Sequence, residues 1–245
     1  MNLRFGMAED GTHSWRFRKT VFPELLNRLP ADFYCFQEAN NFQIDFLNEV
    51  LGDYHLIGRR SPAPEFWQHN IIFYHPRWKC MASDHFYLSP TPSIPSRFRK
   101  SKWPRQCTLG EFYSRSREVV CINTHFDFDP GVQADSAKLI LSRIDAFPKE
   151  NPVIACGDFN SSPQGPAYKL FTESGSRPPF KNVFSAPFPA THHGFTGERD
   201  GNYIDWILYR GNIQKKHAAV ISTAINGIYP SDHFPVTATF SRLGA

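Results

Sequence analysis

Four short polar motifs in this chain contain side chains that could bind a metal ion or move a proton. Each motif follows an apolar run, and in chain order they are Gln37-Glu38, Thr124-His125, Gly157-Asp158-Phe159-Asn160 and Ser231-Asp232-His233. A Glu carboxylate is a hard oxygen ligand of the kind that Mg²⁺ and Mn²⁺ prefer. An Asp can take or steer the proton of an attacking water, and a protonated His can donate to a phosphate oxygen. Together the motifs indicate chemistry on water and phosphate.

The tetrapeptide from Gly157 to Asn160 is the most suggestive of these motifs. Asp158 and Asn160 are two residues apart, so on an extended chain they project to the same side. The glycine permits a tight turn. Asp158 could activate a water molecule while Asn160 holds that water or a phosphate oxygen without adding charge. The same tetrapeptide also fits an Asx-type turn that closes a strand.

His233 needs a carboxylate partner to fix its tautomer. Neighbouring residues on an extended chain face opposite ways, so Asp232 is not expected to orient it. Asp205, at the start of an apolar run, is the best candidate. Taken singly, each of these side chains also has an ordinary structural explanation. His233 fits an exposed imidazole and Asp232 a capping carboxylate, while Glu38 fits a solvated or capping carboxylate and His125 an imidazole bonded to a neighbour. The joint occurrence of the four residues is what indicates a site.

The elements that position these motifs are predicted from apolar spacing. Three helices are expected near residues 20–29, 42–51 and 133–147, the last after the Pro130-Gly131 breaker. Strands are expected at residues 32–36, 71–74, 107–112, 119–124, 153–156, 204–209 and 236–240. Residues 89–104, rich in Pro, Ser and Arg, are expected to form a long surface loop. Many strands and few helices favour stacked sheets, whose rigid strand ends can hold the polar groups.

Bulk composition supports a globular protein and decides little else. A chain of 245 residues with 41% hydrophobic residues and 23 Phe is predicted to form one domain over residues 1–245. A net charge of +4 would help a polyanion approach, but it is common elsewhere. Five cysteines without CxxC spacing are expected to be reduced core residues. Without an apolar run of membrane length or a leader, the predicted location is cytoplasmic.

In their order, the motifs resemble the endonuclease/exonuclease/phosphatase superfamily. That pattern runs Asn after a first strand, Gln-Glu, Thr-His, Gly-Asp-x-Asn, Ile-Asp and Ser-Asp-His, and the matches here are Asn2, Gln37-Glu38, Thr124-His125, Gly157-Asp158-Phe159-Asn160, Ile204-Asp205 and Ser231-Asp232-His233. The resemblance spans nearly the whole chain. It is strongest to a bacterial branch, through Asn2-Leu-Arg-Phe, Trp15, Arg18, Phe86-Tyr-Leu-Ser-Pro-Thr-Pro, Arg105 and His193-Gly-Phe.

The resemblance implies an α/β (α+β) fold, a four-layer αββα sandwich in which two face-to-face β-sheets are flanked by helices. It also implies an active site at one end of the sheets, with the following roles. Asn2, Glu38 and Asp232 would bind Mg²⁺ (or Mn²⁺), and Asp158 and Asn160 would position the nucleophilic water. His233 and His125 would contact the scissile phosphate, with His233 oriented by Asp205. Arg105 would bind substrate. Either His233 or Asp158 takes the water proton.

Two positions depart from the family pattern. Family members carry a strand of several residues before the metal-site Asn, whereas only Met1 precedes Asn2 here, so a trimmed or severely shortened first strand is expected. Gln68 stands where the family often has a Glu that orients the Thr-His histidine. Gln68 can hydrogen-bond an imidazole but cannot stabilise its charged form, which predicts a weaker phosphate contact by His125.

The expected function is that of a divalent-metal-dependent phosphoesterase, with a phosphodiester as the favoured substrate. A diester carries less negative charge than a monoester, so a site rich in carboxylates repels it less. Residues 97–105 interleave cations with aromatics, as a surface that tracks a nucleic-acid strand would, although they also fit a solvated loop. Two alternatives stay open: a phosphomonoesterase acting on a sugar, nucleotide or lipid phosphate, and an inactive module that binds phosphorylated ligands or nucleic acid. No protein partner is predicted.

Overall fold

The helices and strands were defined in a computed structural model that describes residues 1–115, 117–173 and 178–243. The helices are α1 (Trp15–Arg18), α2 (Phe22–Arg28), α3 (Asn41–Leu51), α4 (Pro130–Ile144) and α5 (Pro166–Thr172), with short 3-10 turns at Gly11–His13 and Lys19–Val21. The strands are β1 (Phe33–Ala39), β2 (His55–Ile57), β3 (His69–Tyr74), β4 (Lys79–Tyr87), β5 (Gln106–Ser114), β6 (Arg117–His125), β7 (Val153–Asp158), β8 (Lys181–Asn182), β9 (Asp205–Arg210), β10 (Ile213–Val220) and β11 (Val236–Arg242).

Two layers of β-structure face each other. The larger is a six-stranded sheet in the order β4-β5-β6-β7-β9-β8, in which β6 and β7 are parallel and the other neighbours are antiparallel. The second layer contains the antiparallel sheet β1-β3-β2 and the hairpin β10-β11. Apolar side chains from both layers, among them Ile72, Phe112 and Cys121, form a buried core between them.

Helices cover the outer face of each layer. Ile140 and Ile144 of α4 and Phe171 of α5 pack on the six-stranded sheet, together with Phe159 and Trp206. Removing a side chain of this size from water stabilises the fold by roughly 1.5–3 kcal/mol. On the other side, α1, α2 and α3 cover the three-stranded sheet through apolar residues that include Trp15, Phe22, Leu47, Phe36 and Phe73. The order helix, sheet, sheet, helix is the predicted four-layer sandwich, and the fold prediction is confirmed.

A buried polar side chain joins the two layers beside the strand ends. Asn123 in β6 donates from Nδ2 to the carbonyl oxygens of Phe36 in β1 and Ile71 in β3, at 2.8 and 2.7 Å. Its Oδ1 accepts from Nε2 of Gln37 at 2.5 Å. Because buried amides are costly without partners, this arrangement fixes the position of one layer relative to the other.

The helix predicted at 133–147 begins earlier than expected. Pro130 and Gly131 were predicted to break the chain, yet they form the first turn of α4. Pro is well suited to this position because the first helical N–H needs no partner within the helix. Asp129 caps the helix, since its Oδ1 accepts from the backbone N–H groups of Gly131 and Val132 at 2.9 and 3.0 Å.

Several strands of the structure were not predicted from the sequence. The two long ones, β4 and β10, were missed for the same reason. β4 and β10 lie at sheet edges and expose most of their side chains, so their sequences, such as Gln214-Lys215-Lys216-His217, lack the apolar residues that mark a buried strand. The predicted loop at 89–104 contains no helix or strand, as expected. It is not wholly at the surface, because Ser101 is buried.

The first residues of the chain form a short parallel pairing with β1. The Met1 amine donates to the carbonyl oxygen of Cys35 at 2.8 Å, and the backbone N–H of Leu3 donates to that of Gln37 at 3.0 Å. Asn2 lies opposite Gln37 in an isolated bridge. This pairing places Asn2 beside Glu38.

Candidate active site

Three neighbouring strands of the large sheet bring three ionisable side chains into one row. His125 is the last residue of β6, Asp158 is the last of β7 and Asp205 is the first of β9. In the strand register His125 pairs with Asp158, and Asp158 pairs with Asp205. Directly paired residues project to the same face of a sheet, with Cβ atoms roughly 4.5–5.5 Å apart. All three are buried, so their charges interact strongly.

Gly157 is required in this row for a reason other than the predicted turn. It lies inside β7, with a φ of 155°. A Cβ atom at this position would lie 2.0 Å from the carbonyl oxygen of Thr124. Only glycine therefore allows β6 and β7 to approach this closely just before His125 and Asp158.

His233 joins the row through a hydrogen bond to Asp205. Its Nδ1 lies 2.8 Å from Oδ2 of Asp205, the partner that the sequence predicts. Burial lowers the pKa of this imidazole, but the carboxylates of Asp205 and Asp158 outweigh burial and raise that pKa to about 10. Nε2 of His233 lies 3.8 Å from Oδ2 of Asp158. At neutral pH His233 is therefore an imidazolium that faces Asp158.

Asp158 lies at the centre of the row. Its Oδ2 accepts from Nδ2 of Asn2 at 3.0 Å, and its Oδ1 accepts from the backbone N–H of Asn160 at 3.0 Å. Burial raises its pKa to about 6; the positive charge of His233 opposes that shift and Asp205 adds to it. The carboxylate is thus mostly ionised at neutral pH and more basic than an exposed Asp.

His125 is neutral, in contrast to the charged phosphate contact considered from the sequence. Burial and the positive charges of Arg105 and His233 hold its pKa well below the usual value. Nδ2 of Asn160 lies 3.0 Å from Nε2 of His125, and because an amide nitrogen only donates, Nε2 accepts and Nδ1 carries the proton. Asn160 adopts a left-handed φ of 46°. The backbone carbonyl of Gln68 accepts from Nε2 of Gln106 at 2.6 Å.

Asn2 and Glu38 meet Asp158 from the second layer. Nδ2 of Asn2 donates to Oε1 of Glu38 at 3.1 Å as well as to Asp158, so two carboxylates converge on one amide group. Glu38 has a left-handed φ of 59° in β1, next to a break in the register with β3. A non-glycine residue in this region costs about 1–3 kcal/mol and marks a functional position. The backbone N–H of Phe5 donates to the other carboxylate oxygen of Glu38, Oε2, at 2.6 Å.

Asp232 lies next to His233, with different partners. Its Oδ1 accepts from the hydroxyl of Ser231 at 3.0 Å, and its Oδ2 lies 3.7 Å from Nη1 of Arg4. Among the described residues, two groups of three side chains have ligand atoms within 4.8 Å of one another: His192, Asp232 and His233, and Asp158, Asp205 and His233. Neither group includes Glu38.

The donor set at this end of the sheets nevertheless fits a hard divalent cation. Glu38, Asn2, Asp158 and Asp232 offer carboxylate and amide oxygens, and no cysteine thiol takes part in the contacts described above. Glu38 and Asp158 approach the same amide group, and a cation among them would offset their mutual repulsion.

Arg105 is a buried cation whose nearest carboxylate lies beyond hydrogen-bonding distance. It is 9% exposed, and its Nε makes no hydrogen bond to any described residue. The nearest carboxylate oxygen, Oδ2 of Asp127, is 3.9 Å away. Burial lowers the pKa of Arg105, while the charges of Asp158 and Glu38 oppose that shift. The guanidinium charge therefore interacts with Asp158 in the row. Asp127 also accepts from the Ser101 hydroxyl at 2.7 Å and so anchors the 89–104 loop here.

The chain resembles known proteins in both sequence and fold. Residues 1–233 match the Endonuclease/Exonuclease/phosphatase family. The chain belongs to this family. Its members hydrolyse phosphoesters, as nucleases and phosphatases, and usually depend on a divalent metal.

Individual relatives of the family share the fold at low identity. An endonuclease/exonuclease/phosphatase from Bacteroides vulgatus is 24% identical, with a TM-score of 0.89 over 98% of this chain and 96% of that one. A mannosyl-6-phosphatase from Bacteroides thetaiotaomicron is 24% identical, with a TM-score of 0.86 over 98% and 97%. The CCR4-Not complex 3'-5'-exoribonuclease subunit Ccr4 of Debaryomyces hansenii is 24% identical over 66% of this chain, which spans only 24% of that protein. None of the helices described here is long and apolar enough to cross a lipid bilayer.

Arg18 supports the family site without belonging to the predicted set. Its guanidinium is buried and donates to the carbonyl oxygens of Leu3 at 2.8 Å, Pro230 at 2.7 Å and His13 at 2.6 Å. Burial lowers its pKa to about 10, and the charge of Asp232 opposes that shift. Arg18 thus connects the segment that carries Asn2 to the segment that carries Asp232. In the sequence it was visible only as part of the resemblance to the bacterial branch.

We predict that Arg18→Lys destabilises the protein by at least about 2 kcal/mol, because a lysine cannot reach three carbonyl groups and would leave buried acceptors unsatisfied. Urea unfolding followed by circular dichroism measures the change. Arg28→Lys is the control, since Arg28 is exposed and pairs only with Glu24 one turn away, and it should change stability by less than about 0.5 kcal/mol. Equal losses in the two variants would show that Arg18 does not connect the two segments.

Proposed function

We propose that this chain is a divalent-metal-dependent phosphoesterase that hydrolyses a phosphodiester by direct attack of water. The observation that carries the proposal is the buried row of His125, Asp158 and Asp205, with His233 bonded to Asp205 at 2.8 Å. A carboxylate that can take a proton and an imidazolium that can donate one face each other across 3.8 Å. Such a pair can serve both sides of a hydrolysis without a covalent intermediate.

The metal would be held by Asn2, Glu38 and Asp232. Their oxygens suit Mg²⁺ or Mn²⁺, and the convergence of Glu38 and Asp158 on one amide supports a cation there. When bound, the cation would supply positive charge to the phosphate oxygens. Oδ1 of Asn2 accepts from the Arg4 backbone N–H at 2.7 Å, which keeps the amide oriented while a second lone pair stays available.

Asp158 is the better candidate for the base of the two that the sequence left open. His233 donates through Nδ1 to Asp205 and holds its other proton at Nε2, so it cannot accept a proton from water. Asp158 is ionised and close to Nε2 of His233. Asn160 would help to hold the water through Oδ1, because its amide nitrogen already donates to His125 and to the Phe126 carbonyl.

The phosphate would be bound by three donors of the chain. His233 would donate from Nε2, and neutral His125 would donate through Nδ1. Arg105 would supply a guanidinium that has no hydrogen bond from Nε to any described residue. A buried cation binds an oxyanion strongly, because the anion restores the interactions that the cation lost on burial.

Charge favours a diester over a monoester at this site. Glu38, Asp158, Asp205 and Asp232 lie close to the phosphate position, and a monoester carries nearly one more negative charge than a diester. The Ccr4 relatives, which are 3'-5'-exoribonucleases by name, support this preference. The mannosyl-6-phosphatase of the same fold supports a second candidate, a phosphomonoesterase acting on a sugar phosphate.

Hydrolysis of bis(p-nitrophenyl) phosphate should require Mg²⁺ or Mn²⁺, stop in excess EDTA and resume when metal is restored. His233→Ala and Asp158→Ala should each reduce kcat by roughly 100-fold or more, because each removes a proton-transfer group. The double variant should lose much less than the product of the two factors, since residues that act as a unit are non-additive. His55→Ala and Asp135→Ala are controls, because both side chains are exposed and neither takes part in the contacts of the row described above.

Two outcomes would contradict that assignment. Full turnover in excess EDTA by protein that contains no metal by elemental analysis would exclude the metal role. A double variant that loses the full product of the single losses would show that His233 and Asp158 act independently.

A single-stranded oligonucleotide should be hydrolysed with a higher kcat/KM than any sugar or nucleotide monophosphate. A duplex is measured in the same series, and all substrates are compared at the same ionic strength. The reason is the smaller repulsion between a diester and the four carboxylates. A tenfold preference for a monoester, equivalent to about 1.4 kcal/mol of transition-state binding, would instead support the phosphomonoesterase.

A further inference from the structure

We propose that Arg4 binds a second phosphate of the substrate, next to the one that is cleaved, and that Asp10 holds Arg4 in place for this purpose. The inference rests on the proposed phosphodiesterase function and specifies its substrate as a strand with more than one phosphate. Arg4 was not among the predicted site residues.

The Arg4 guanidinium is held on one edge and available on the other. Its Nε and Nη2 donate to the two oxygens of Asp10 at 2.9 and 2.8 Å, a bidentate pair. Its Nη1 lies 3.7 Å from Oδ2 of Asp232, beyond hydrogen-bonding distance. The Arg4 side chain is 37% exposed, whereas Asp10 is 15% exposed. The N–H groups on Nη1 can therefore reach a ligand while the opposite edge stays fixed.

The backbone of Arg4 is held as firmly as its side chain. Arg4 has a left-handed φ of 60°, which a non-glycine residue rarely adopts. Its N–H donates to Oδ1 of Asn2 at 2.7 Å, and its carbonyl accepts from the buried side chains of Arg18 at 3.5 Å and Gln43 at 3.3 Å. A strained conformation persists only where its surroundings enforce it. The direction of the Arg4 side chain is thus set before substrate binds, which reduces the entropy lost on binding.

Arg4 and Arg105 lie beside different carboxylates. Arg4 lies near Asp232, whereas the carboxylate nearest to Arg105 is Asp127. Asp10, Asp232 and Glu38 all raise the pKa of Arg4, so it is a permanent cation. Arg105 already provides a cation for the scissile phosphate in the proposed function. A second cation beside a different carboxylate can bind a second phosphate, which a strand supplies next to the first.

The test uses two trinucleotide-length strands of the same sequence that each have one cleavable phosphodiester. In one strand the flanking linkage is a second phosphate made resistant as a phosphorothioate, and in the other it is an uncharged methylphosphonate. Arg4→Gln should raise KM at least tenfold for the charged strand and less than threefold for the uncharged strand, with kcat changed less than threefold for both. The slope of log KM against log salt for the charged strand should fall by about 0.7, the value for one phosphate contact on a single strand.

Arg59→Gln is the matched control. Arg59 is 36% exposed and pairs with Asp45 at 2.6 Å, so the variant removes the same charge from an equally exposed arginine whose partners are Asn41 and Asp45. It should leave both KM values unchanged. Asp10→Asn keeps the Arg4 charge and removes its clamp, and it should raise KM about threefold for the charged strand alone. This variant tests the proposal even if Arg4→Gln does not fold.

The outcomes separate this proposal from the function on which it rests. If the unaltered protein cleaves neither strand, the phosphodiesterase function fails. If it cleaves both and Arg4→Gln affects both equally, Arg4 acts at the scissile phosphate, and the second-phosphate proposal is overturned. It is also overturned if Arg4→Gln weakens Mn²⁺ binding, measured by electron paramagnetic resonance, while the two KM values stay the same.

Discussion

The register of β6, β7 and β9 is the constraint on which the site depends. Because His125 pairs with Asp158 and Asp158 pairs with Asp205, three ionisable groups are fixed in one row by backbone hydrogen bonds. A slip of one residue in any strand would turn its side chain to the other face of the sheet. Gly157 makes the close approach of β6 and β7 possible, and the polar contacts of Asn123 hold the second layer against this sheet.

Burial of the row then determines the protonation of its members. Buried charges are costly unless they are paired, so the groups in the row differ in charge according to their neighbours. Asp205 keeps His233 positively charged, whereas burial and nearby cations keep His125 neutral. Two imidazoles at similar strand ends therefore have different chemistry. The carboxylates outnumber the cations among these side chains, which explains why a divalent cation and an anionic substrate could both be accepted.

Part of this arrangement could be predicted from the sequence, and part could not. Apolar spacing identified α3, β6 and β7, because buried elements carry a clear period. It missed β4 and β10, because exposed edge strands lose that period. Local geometry excluded Asp232 as the partner of His233, since adjacent residues on a strand face opposite ways, and Asp205 was then the best candidate. The hydrogen bond from Arg18 to Pro230 joins residues 212 positions apart, and no local pattern encodes it. The neutral state of His125 depends on its burial and on the charges of Arg105 and His233, which spacing does not show.

The most direct test of this account is the protonation of the two imidazoles in the metal-free protein, measured by ¹⁵N-edited NMR of the histidine rings. His125→Asn and His233→Asn variants would assign the signals. His233 is predicted to carry protons on both ring nitrogens at pH 8, and His125 to be neutral with its proton on Nδ1 at pH 6. A neutral His233 at pH 7, or a charged His125 at pH 6, would contradict the account.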